Sequence, residues 1–242
     1  HGNIIGGLSA ILCLKKNIIW NIRNSNLNKS IKFNTKISLI LNIIFSYIIP
    51  KKIIYCSKKS IDYHQQIGIN KKKTILIYNG YKFTRNLNDH SINKIFYKKK
   101  SNIINLGLVS RWDPVKNHTN AIKLICALNK IKDFEFKFYF AGEDINYRNK
   151  DLTTIIQKYD LKEKIVLCGD INNIYEFYSF IDINFLFSKS ESFPNVLAEA
   201  MLSGIPCIST NVGDAEIILN NLGWLFNYND EKIFLKCVNE AV

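Results

Sequence analysis

The second half of the chain alternates apolar runs with amphipathic segments, and this alternation predicts its fold. Nearly continuous apolar runs, of the kind that buried parallel strands show, occur at 103–109, 136–142, 164–170, 182–188, 206–210 and 223–226. Helical patterns separate most of them, at 118–131, 149–159, 171–180 and 194–203. The alternation predicts an α/β fold with a doubly wound parallel sheet, whose ligands bind beyond the carboxyl ends of the strands.

The first half of the chain has a less regular pattern. Its strongest apolar run, 37–49, predicts a packed helix, and it is shorter than the roughly 20 residues that span a bilayer. Residues 73–81 predict a strand and an Asn-Gly turn, and the stretch that follows is rich in Asn, Lys and Ser, as a linker is. We therefore expect two domains, 1–90 with a linker to about 102, and 103–242.

Charge is divided unevenly between the two halves. Residues 1–100 contain 19 Lys or Arg against two acidic residues, whereas residues 101–242 contain 14 against 18. A basic face attracts anionic lipid head groups or phosphorylated acceptors, although a scattered, solvated surface is an open alternative. No zinc-ligand spacing or RNA-recognition signature is present, so no nucleic acid partner is expected. The six cysteines include no C-x-x-C pair, which favours reduced thiols in the cytoplasm and no metal site.

The stretch 190–216 carries the first candidate site. Pro194 is expected early in a helix that Gly204 and Pro206 end. The unpaired N–H groups at the start of that helix favour an anion, and they belong to Asn195, Val196 and Leu197. Glu191 precedes the helix and Glu199 lies on it, so two carboxylates could accept hydrogen bonds from the hydroxyls of a bound sugar nucleotide. A plain amphipathic helix with a solvated Glu is the simpler alternative.

A second candidate site follows the apolar run that ends at Val109. Arg111 comes directly after this strand, and Lys116 precedes Asn117, the expected cap of the helix that starts at His118. A guanidinium, an ammonium and a helix N-terminus together favour a diphosphate. Arg111 and Lys116 could instead be solvated loop charges, and His118 is expected only to add local positive charge.

With its two glutamates and its Gly-Pro stop, the segment ESFPNVLAEAMLSGIPCI resembles the signature of glycosyltransferase family 4. The resemblance implies a GT-B fold of two Rossmann-like domains, in which 1–90 is part of an incomplete acceptor-side domain and 103–242 is the domain that binds the nucleotide-sugar donor. It implies that Glu191 contacts the donor sugar and Glu199 the nucleotide ribose. The family usually has Gly after the first Glu, where this chain has Ser192.

The same resemblance extends upstream. Gly107, Arg111 and Lys116 fit the family's G-x-x-x-R-x-x-x-x-K pattern, in which the Arg and Lys bind the donor diphosphate and stabilise it as the leaving group. Arg111, Lys116 and Glu191 are therefore the expected catalytic residues. By resemblance, Ile171 packs against the base, although a core position is equally open. By the same resemblance His1 contacts the donor sugar or its phosphate, although a solvated end is equally open. Because the chain starts as though inside a domain, we expect residues to precede His1.

The activity that the resemblance implies is retaining, metal-independent sugar transfer. The donor is a nucleoside diphosphate sugar, with a UDP-sugar favoured, and no cofactor is expected. The acceptor is a saccharide or a lipid-linked molecule of cell-surface polysaccharide synthesis. We expect a cytoplasmic enzyme with peripheral contact to anionic membrane. Two alternatives are a nucleotide-sugar epimerase and a basic binding module, for membrane or nucleic acid, with a vestigial donor site.

Overall fold

A computed structural model describes residues 2–24, 33–81, 102–131 and 134–242. The chain divides into two compact units. The first unit is His1–Gly80 with Ser190–Pro194, and the second is Tyr81–Lys189 with Asn195–Val242. Each unit contains one parallel β-sheet.

The first unit is a three-stranded parallel sheet with its connecting helices. Its elements in chain order are α1 (Gly2–Leu12), β1 (Ile19–Ile22), α2 (Phe33–Ile48), β2 (Lys52–Tyr55), α3 (Lys58–Gln66), a 3-10 turn (Lys71–Lys73) and β3 (Thr74–Leu76). The strands lie in the order β1-β2-β3. Trp20, Ile53 and Tyr55 are buried in its core, and the Ser57 side chain caps α3 by accepting a hydrogen bond from the N–H of Ser60.

The apolar run of the first half forms the predicted helix, α2, which packs on its unit along one side only. One side of α2 meets the core of its unit through partly buried Ile43 and Phe45. Six large apolar side chains of the helix are exposed, namely Ile37, Ile40, Leu41, Ile44, Tyr47 and Ile48. The periodicity shows that the segment is a helix, but it does not reveal which apolar positions find a partner. Within the described ranges, no helix is long and apolar enough to cross a membrane.

The second unit contains a six-stranded parallel sheet. Its elements are β4 (Ile104–Val109), α4 (His118–Ile131), β5 (Phe136–Ala141), α5 (Lys150–Lys158), β6 (Ile165–Gly169), α6 (Ile174–Phe180), β7 (Ile183–Leu186), α7 (Asn195–Leu202), β8 (Cys207–Thr210), α8 (Ala215–Leu219), β9 (Trp224–Phe226) and α9 (Glu231–Ala241). The strand order is β6-β5-β4-β7-β8-β9. The predicted α/β class and the doubly wound parallel sheet are confirmed.

Alternation along the strands gives this sheet two apolar faces. On β5, Phe136, Phe138 and Phe140 join one buried cluster, and Tyr139 joins the other. Helices α4, α5 and α9 cover the first cluster, whereas α6, α7 and α8 cover the second. Burial on both faces explains why these strands are continuous apolar runs in the sequence.

Candidate functional site

The strand order of the second sheet reverses between β4 and β7, which are hydrogen-bonded neighbours. From β4 the chain turns onto one face of the sheet as α4, and from β7 it turns onto the other face as α7. Diverging connections of this kind leave a crevice outside the carboxyl ends of the two strands, where open α/β sheets bind their ligands.

The loop from β4 to α4 is organised by Asp113. The N–H of Val115 donates to Oδ1 of Asp113 at 2.8 Å, and Nη2 of Arg111 lies 3.2 Å from Oδ2. The Val115 hydrogen bond, followed by the Arg111 hydrogen bond and charge, lowers the pKa of the Asp113 carboxyl despite its partial burial. The side chain of Arg111 is 60% exposed, so this ion pair adds little stability but holds the guanidinium at the crevice. Lys116 follows in the same turn, its N–H donating to the Asp113 carbonyl.

Gly142 supports this loop from the end of β5. Its φ is +135°, and a Cβ there would lie 2.5 Å from the carbonyl oxygen of Ser110. Only glycine allows β5 to approach the residue before Arg111 so closely. The N–H of Trp112 then donates to the Glu143 carbonyl at 2.8 Å. The roles of Asp113 and Gly142 were not predicted from the sequence, although Gly directly after an apolar run is a signal of close approach.

His118 begins α4 and is buried. Its Nε2 lies 2.9 Å from Oγ of Ser110, and Nδ1 has no hydrogen-bond partner among the described residues. Burial, with a smaller contribution from the charge of Lys116, lowers the pKa of His118 to about 4. The expectation that His118 adds positive charge is therefore wrong, because a ring this buried is neutral at pH 7.

Helix α7 begins at Asn195, one residue later than expected, so Pro194 precedes it. The Tyr81 hydroxyl donates to Oδ1 of Asn195 at 2.6 Å. The Tyr178 hydroxyl donates to the carbonyl of Val196 and lies 3.4 Å from Oε2 of Glu199. Burial raises the pKa of Glu199, and the contact with Tyr178 opposes that rise. A partly desolvated carboxylate is thus held on the first turns of a helix that starts at the crevice, together with the N–H groups of Val196 and Leu197.

Two hydrogen bonds join the chain segments that leave β4 and β7. The N–H of Lys189 donates to the Val115 carbonyl at 2.8 Å, and Nδ2 of Asn117 donates to the Phe187 carbonyl at 3.2 Å. Asn117 has a left-handed backbone, with φ of +63°, which Asn tolerates better than most residues. The loop that carries Lys116 is therefore attached directly to the segment that leads towards Ser190.

Glu191 and Pro194 lie in the segment Ser190–Pro194, which groups with the first unit. Within that unit the ring of Phe193 packs on the ring of Tyr78, with centroids 5.5 Å apart. The hydroxyl of Ser192 is buried and has no hydrogen-bond partner in the described part of the chain. The role of Glu191 beside Arg111 and Lys116 stays a prediction.

Three further predicted contacts also stay predictions. Gly107 lies in the middle of β4, where a Cβ would come within 2.4 Å of Cδ1 of Ile181, so close packing alone explains the glycine. Ile171 is partly buried and packs against the cluster that α6, α7 and α8 cover. His1 lies outside the described residues. Over the described ranges, no three His, Cys, Asp or Glu side chains form a group that could hold a metal ion.

A reversed parallel sheet with a basic loop and a helix N-terminus at its switch point is the architecture of nucleotide-binding α/β proteins. The family model described as "Glycosyl transferases group 1" matches residues 103–242, more than half of the chain, and the chain belongs to that family.

Curated relatives match most of the chain. The chain is 28% identical over 177 residues to the Campylobacter jejuni N-acetylgalactosamine-N,N'-diacetylbacillosaminyl-diphospho-undecaprenol 4-alpha-N-acetylgalactosaminyltransferase, covering 72% of this chain and 46% of the relative. It is 27% identical over 182 residues to the Escherichia coli UDP-Gal:alpha-D-GlcNAc-diphosphoundecaprenol alpha-1,3-galactosyltransferase, with the same two coverages. The chain thus spans about half the length of these relatives.

Solved structures share the fold. Anabaena Alr3699/HepE in complex with UDP aligns with a TM-score of 0.77 at 18% identity, covering 98% of this chain and 65% of that one. The sucrose-phosphate synthase of Thermosynechococcus elongatus aligns with a TM-score of 0.76 at 17% identity, covering 98% and 62%. The GT-B fold expected from the sequence is confirmed.

Proposed function

We propose that the protein is a retaining, metal-independent glycosyltransferase that moves a sugar from a nucleoside diphosphate sugar to a saccharide or lipid-linked acceptor of cell-surface polysaccharide synthesis. The observation that carries this proposal is the basic loop of Arg111 and Lys116, which Asp113 and Gly142 hold at the switch point of the family-matched unit. A UDP-sugar is the favoured donor, because a structural neighbour was solved with UDP. Two relatives are named for diphospho-undecaprenol acceptors, which supports a lipid-linked acceptor.

In this proposal the positive side chains act on the leaving group. As the bond between the sugar and the diphosphate breaks, Arg111 and Lys116 stabilise the negative charge on the phosphate oxygens, a contribution that often dominates catalysis. The N–H groups of Asn195, Val196 and Leu197 add to the phosphate site. Retention is the outcome that the family resemblance implies, with the leaving phosphate assisting the incoming hydroxyl.

The two glutamates are assigned to the two sugars of the donor. Glu199 accepts hydrogen bonds from the ribose hydroxyls, and its contact with Tyr178 fixes its rotamer. Glu191 orients the hydroxyls of the transferred sugar.

A thermal-shift screen with UDP-, GDP- and ADP-sugars tests donor binding. A ligand at about 100 times its Kd stabilises the folded state by about 2.7 kcal/mol. We expect the largest rise in melting temperature with a UDP-sugar, no change in that rise with EDTA, and its loss in Arg111→Ala. Arg148→Ala removes an exposed arginine of the same unit and should respond like the wild type. Stabilisation by none of the three donors would contradict the proposal, and a released, isomerised sugar would identify an epimerase.

We also propose that the first unit contacts an anionic membrane through the exposed face of α2. Charge complementarity selects this partner, because exposed Lys36 lies one turn before Ile40 and exposed Lys51 follows the helix. Asp62 is the only acidic residue in 1–80. Apolar side chains beside lysines suit the boundary between acyl chains and anionic head groups.

Sedimentation with vesicles tests the membrane contact. The protein should sediment with phosphatidylglycerol-containing vesicles and much less with pure phosphatidylcholine. The double variant Ile40→Asp with Ile44→Asp should lose most of this binding, whereas Ile131→Asp, at an exposed isoleucine of the second unit, should retain it. Equal loss in both variants, or equal binding to both kinds of vesicle, would count against a lipid-facing α2.

A further inference from the structure

His118 is a buried side chain of the second unit to which the proposed mechanism gives no role. Its ring is 2% exposed, although it lies at the first residue of α4, directly after the loop that carries Arg111 and Lys116. Burying a polar ring costs free energy unless its surroundings compensate. Two of the residues that surround this ring are the chain neighbours of Arg111.

The ring of His118 contacts the residue on each side of Arg111. Nε2 lies 2.9 Å from Oγ of Ser110, and the indole ring of Trp112 packs on the imidazole with centroids 5.1 Å apart. The ring of Phe140, on β5, lies beyond with its centroid 6.1 Å away. A single buried ring therefore holds Ser110 by a hydrogen bond and Trp112 by packing.

The backbone between these two contacts keeps the alternation of a strand. The N–H of Ser110 donates to the Ala141 carbonyl at 2.9 Å, and the N–H of Trp112 donates to the Glu143 carbonyl at 2.8 Å. Residues two apart in a strand direct their side chains to the same side, and the residue between them faces the opposite way. The contacts that hold Ser110 and Trp112 on the ring thus turn Arg111 away from it, and the Arg111 side chain is 60% exposed.

The hydrogen bond between Ser110 and His118 also closes the loop at its base. Ser110 is the first residue after β4, and His118 is the first residue of α4. Arg111 and Lys116 both lie between the two bonded side chains. Closing the loop when the protein folds removes conformations that would otherwise have to be lost when a ligand binds. The contact therefore preorganises both cations.

The neutral state of the ring suits this role. Burial, with a smaller contribution from the charge of Lys116, lowers the pKa of His118 to about 4. A neutral imidazole has one N–H and one lone pair, and a serine hydroxyl can either donate or accept, so the bond to Ser110 forms with either tautomer. A neutral ring holds the loop without an ion pair to Lys116 that a bound donor would have to break.

On the basis of the transferase function proposed above, we propose that His118 is a positioning residue, which holds the backbone on either side of Arg111 and fixes the loop that also carries Lys116. The ring itself touches neither the donor nor the acceptor. Without it both cations are present but are no longer oriented, and a misplacement of about 1 Å can lower a rate by about 10²-fold.

Binding of UDP and of uridine distinguishes positioning of the phosphate-binding side chains from general support of the fold. His118→Leu removes the hydrogen bond and keeps an apolar side chain in contact with Trp112, and Ser110→Ala removes the same bond with less risk to folding. Both variants should bind UDP about tenfold more weakly than the wild type, because one buried partner loses its hydrogen bond. Uridine has no phosphate, so its affinity should not change.

The double variant Ser110→Ala with His118→Leu should bind UDP no more weakly than the weaker single variant, because both changes remove one interaction. Ligand-observed NMR measures the weak binding of uridine, and calorimetry measures that of UDP. Wild-type UDP affinity in a folded Ser110→Ala protein, or an equal loss of affinity for uridine and UDP, would overturn the proposal.

Kinetics with a conservative variant and a stability control complete the test. His118→Leu should lower kcat for sugar transfer about tenfold and leave KM for the acceptor unchanged, whereas His118→Gln, whose amide can bond to Ser110, should retain at least about half of the wild-type kcat. Leu152→Val, at a buried position of the same apolar cluster on α5, should lower the melting temperature without lowering kcat. Equal losses of kcat in the Leu152 and His118→Leu variants, or equally slow Gln and Leu variants of His118, would show that the ring acts only through stability.

Failure of this inference differs from failure of the proposed function. A wild-type protein that binds no UDP would contradict the transferase proposal itself. A wild-type protein that binds UDP and transfers sugar, with the Ser110 and His118 variants equal to it, would contradict only the role of His118.

Discussion

The two halves of the chain carry opposite net charge. Residues 1–100 have a large excess of lysine and arginine and few acids, whereas residues 101–242, which include the proposed diphosphate site, have more acids than bases. The half of the chain proposed to bind a highly charged donor is therefore not the basic one. Its affinity must come from a few oriented groups, Arg111, Lys116 and the N-terminus of α7, while excess charge in the first unit acts on extended anionic surfaces.

The same contrast appears in the packing. The second sheet is covered on both faces by helices, and the apolar clusters on its two faces are buried. In the first unit, α1 and α2 leave large apolar side chains exposed, such as Ile5 and Ile48. A closed core supports a rigid site, and exposed apolar side chains beside lysines support adhesion to a surface. Variants that disable one unit and leave the other intact can test this difference between the two units.

The largest expected effect is on catalysis. Lys116→Ala should lower kcat for sugar transfer by about 10²–10³-fold, because removing one oriented donor to a developing oxyanion has effects of that size. Sedimentation with anionic vesicles should not change. Lys123→Ala, at an exposed lysine of α4, is the matched control and should retain activity. Near-normal turnover of the Lys116 variant with an intact melting curve would remove the diphosphate assignment.

The next effect is on the stability of the second unit. Gly142→Ala should lower the free energy of unfolding by about 2–4 kcal/mol, because the new Cβ meets the Ser110 carbonyl at an unfavourable φ. Gly204 also has positive φ but has open space around it, so Gly204→Ala should cost only about 1–2 kcal/mol. Denaturant unfolding and UDP affinity are the measurements. Equal losses in the free energy of unfolding for the two substitutions would show that the close approach of β5 to Ser110 does not contribute to stability.

Glu199→Gln should have opposite effects on binding and on stability. The variant should bind UDP about tenfold more weakly, since an amide accepts hydrogen bonds less strongly than a carboxylate. Burial raises the folded-state pKa of Glu199 above its ordinary value of 4.5, so the folded state prefers the protonated carboxyl. This preference for the protonated carboxyl adds to the free energy of unfolding below pH 4.5. The contribution is lost as the pH rises from 4.5 to the pKa of Glu199 in the folded state. Without ligand at neutral pH, Gln should therefore raise the melting temperature by about 1–3 °C.

Melting curves across that pH range provide the check for Glu199. The difference in melting temperature between the variant and the wild type should increase as pH rises above 4.5 and then become constant. Glu176→Gln, in the first turn of α6, is the control and should show neither the gap nor the loss of UDP affinity. A variant that is less stable than the wild type at neutral pH would mean that the carboxylate is favourably paired without donor.

The smallest expected effect is at Ser192. Ser192→Gly introduces the residue that is usual in the family and removes a buried hydroxyl without a partner in the described chain. Donor KM should change by no more than about threefold. A tenfold change in steady-state KM would show that the hydroxyl contacts the donor and that this departure from the family pattern affects specificity.

The sequence predicts the second unit better than the first. Every strand from β4 to β9 lies within two residues of its predicted range, because strands buried on both faces are continuous apolar runs. The positions of Arg111 and Glu199 along the chain also follow from the predicted strand and helix. The exposure of α2 could not be predicted, because a helical period does not show whether an apolar face has a partner.

The details of the candidate site that the sequence does not predict depend on tertiary contacts. Nothing near His118 in the sequence shows that its ring is buried and neutral, since the residues that bury it come from separate elements. The need for glycine at position 142 depends on the neighbouring strand bringing Ser110 within contact distance. Local patterns identify the charged groups, and packing determines their protonation and their orientation.

The hydrogen bonds that join Val115 to Lys189 and Asn117 to Phe187 have a mechanical consequence. The segment Ser190–Pro194 belongs to the first unit and follows Lys189 directly in the chain. The hydrogen bond of Lys189 therefore links the start of this segment to the loop that carries Lys116. A nucleotide that orders Lys116 would also restrain the segment Ser190–Pro194. Amide hydrogen exchange across 187–195 should then slow when UDP is added, which would make donor occupancy detectable in a peptide that leads into the first unit.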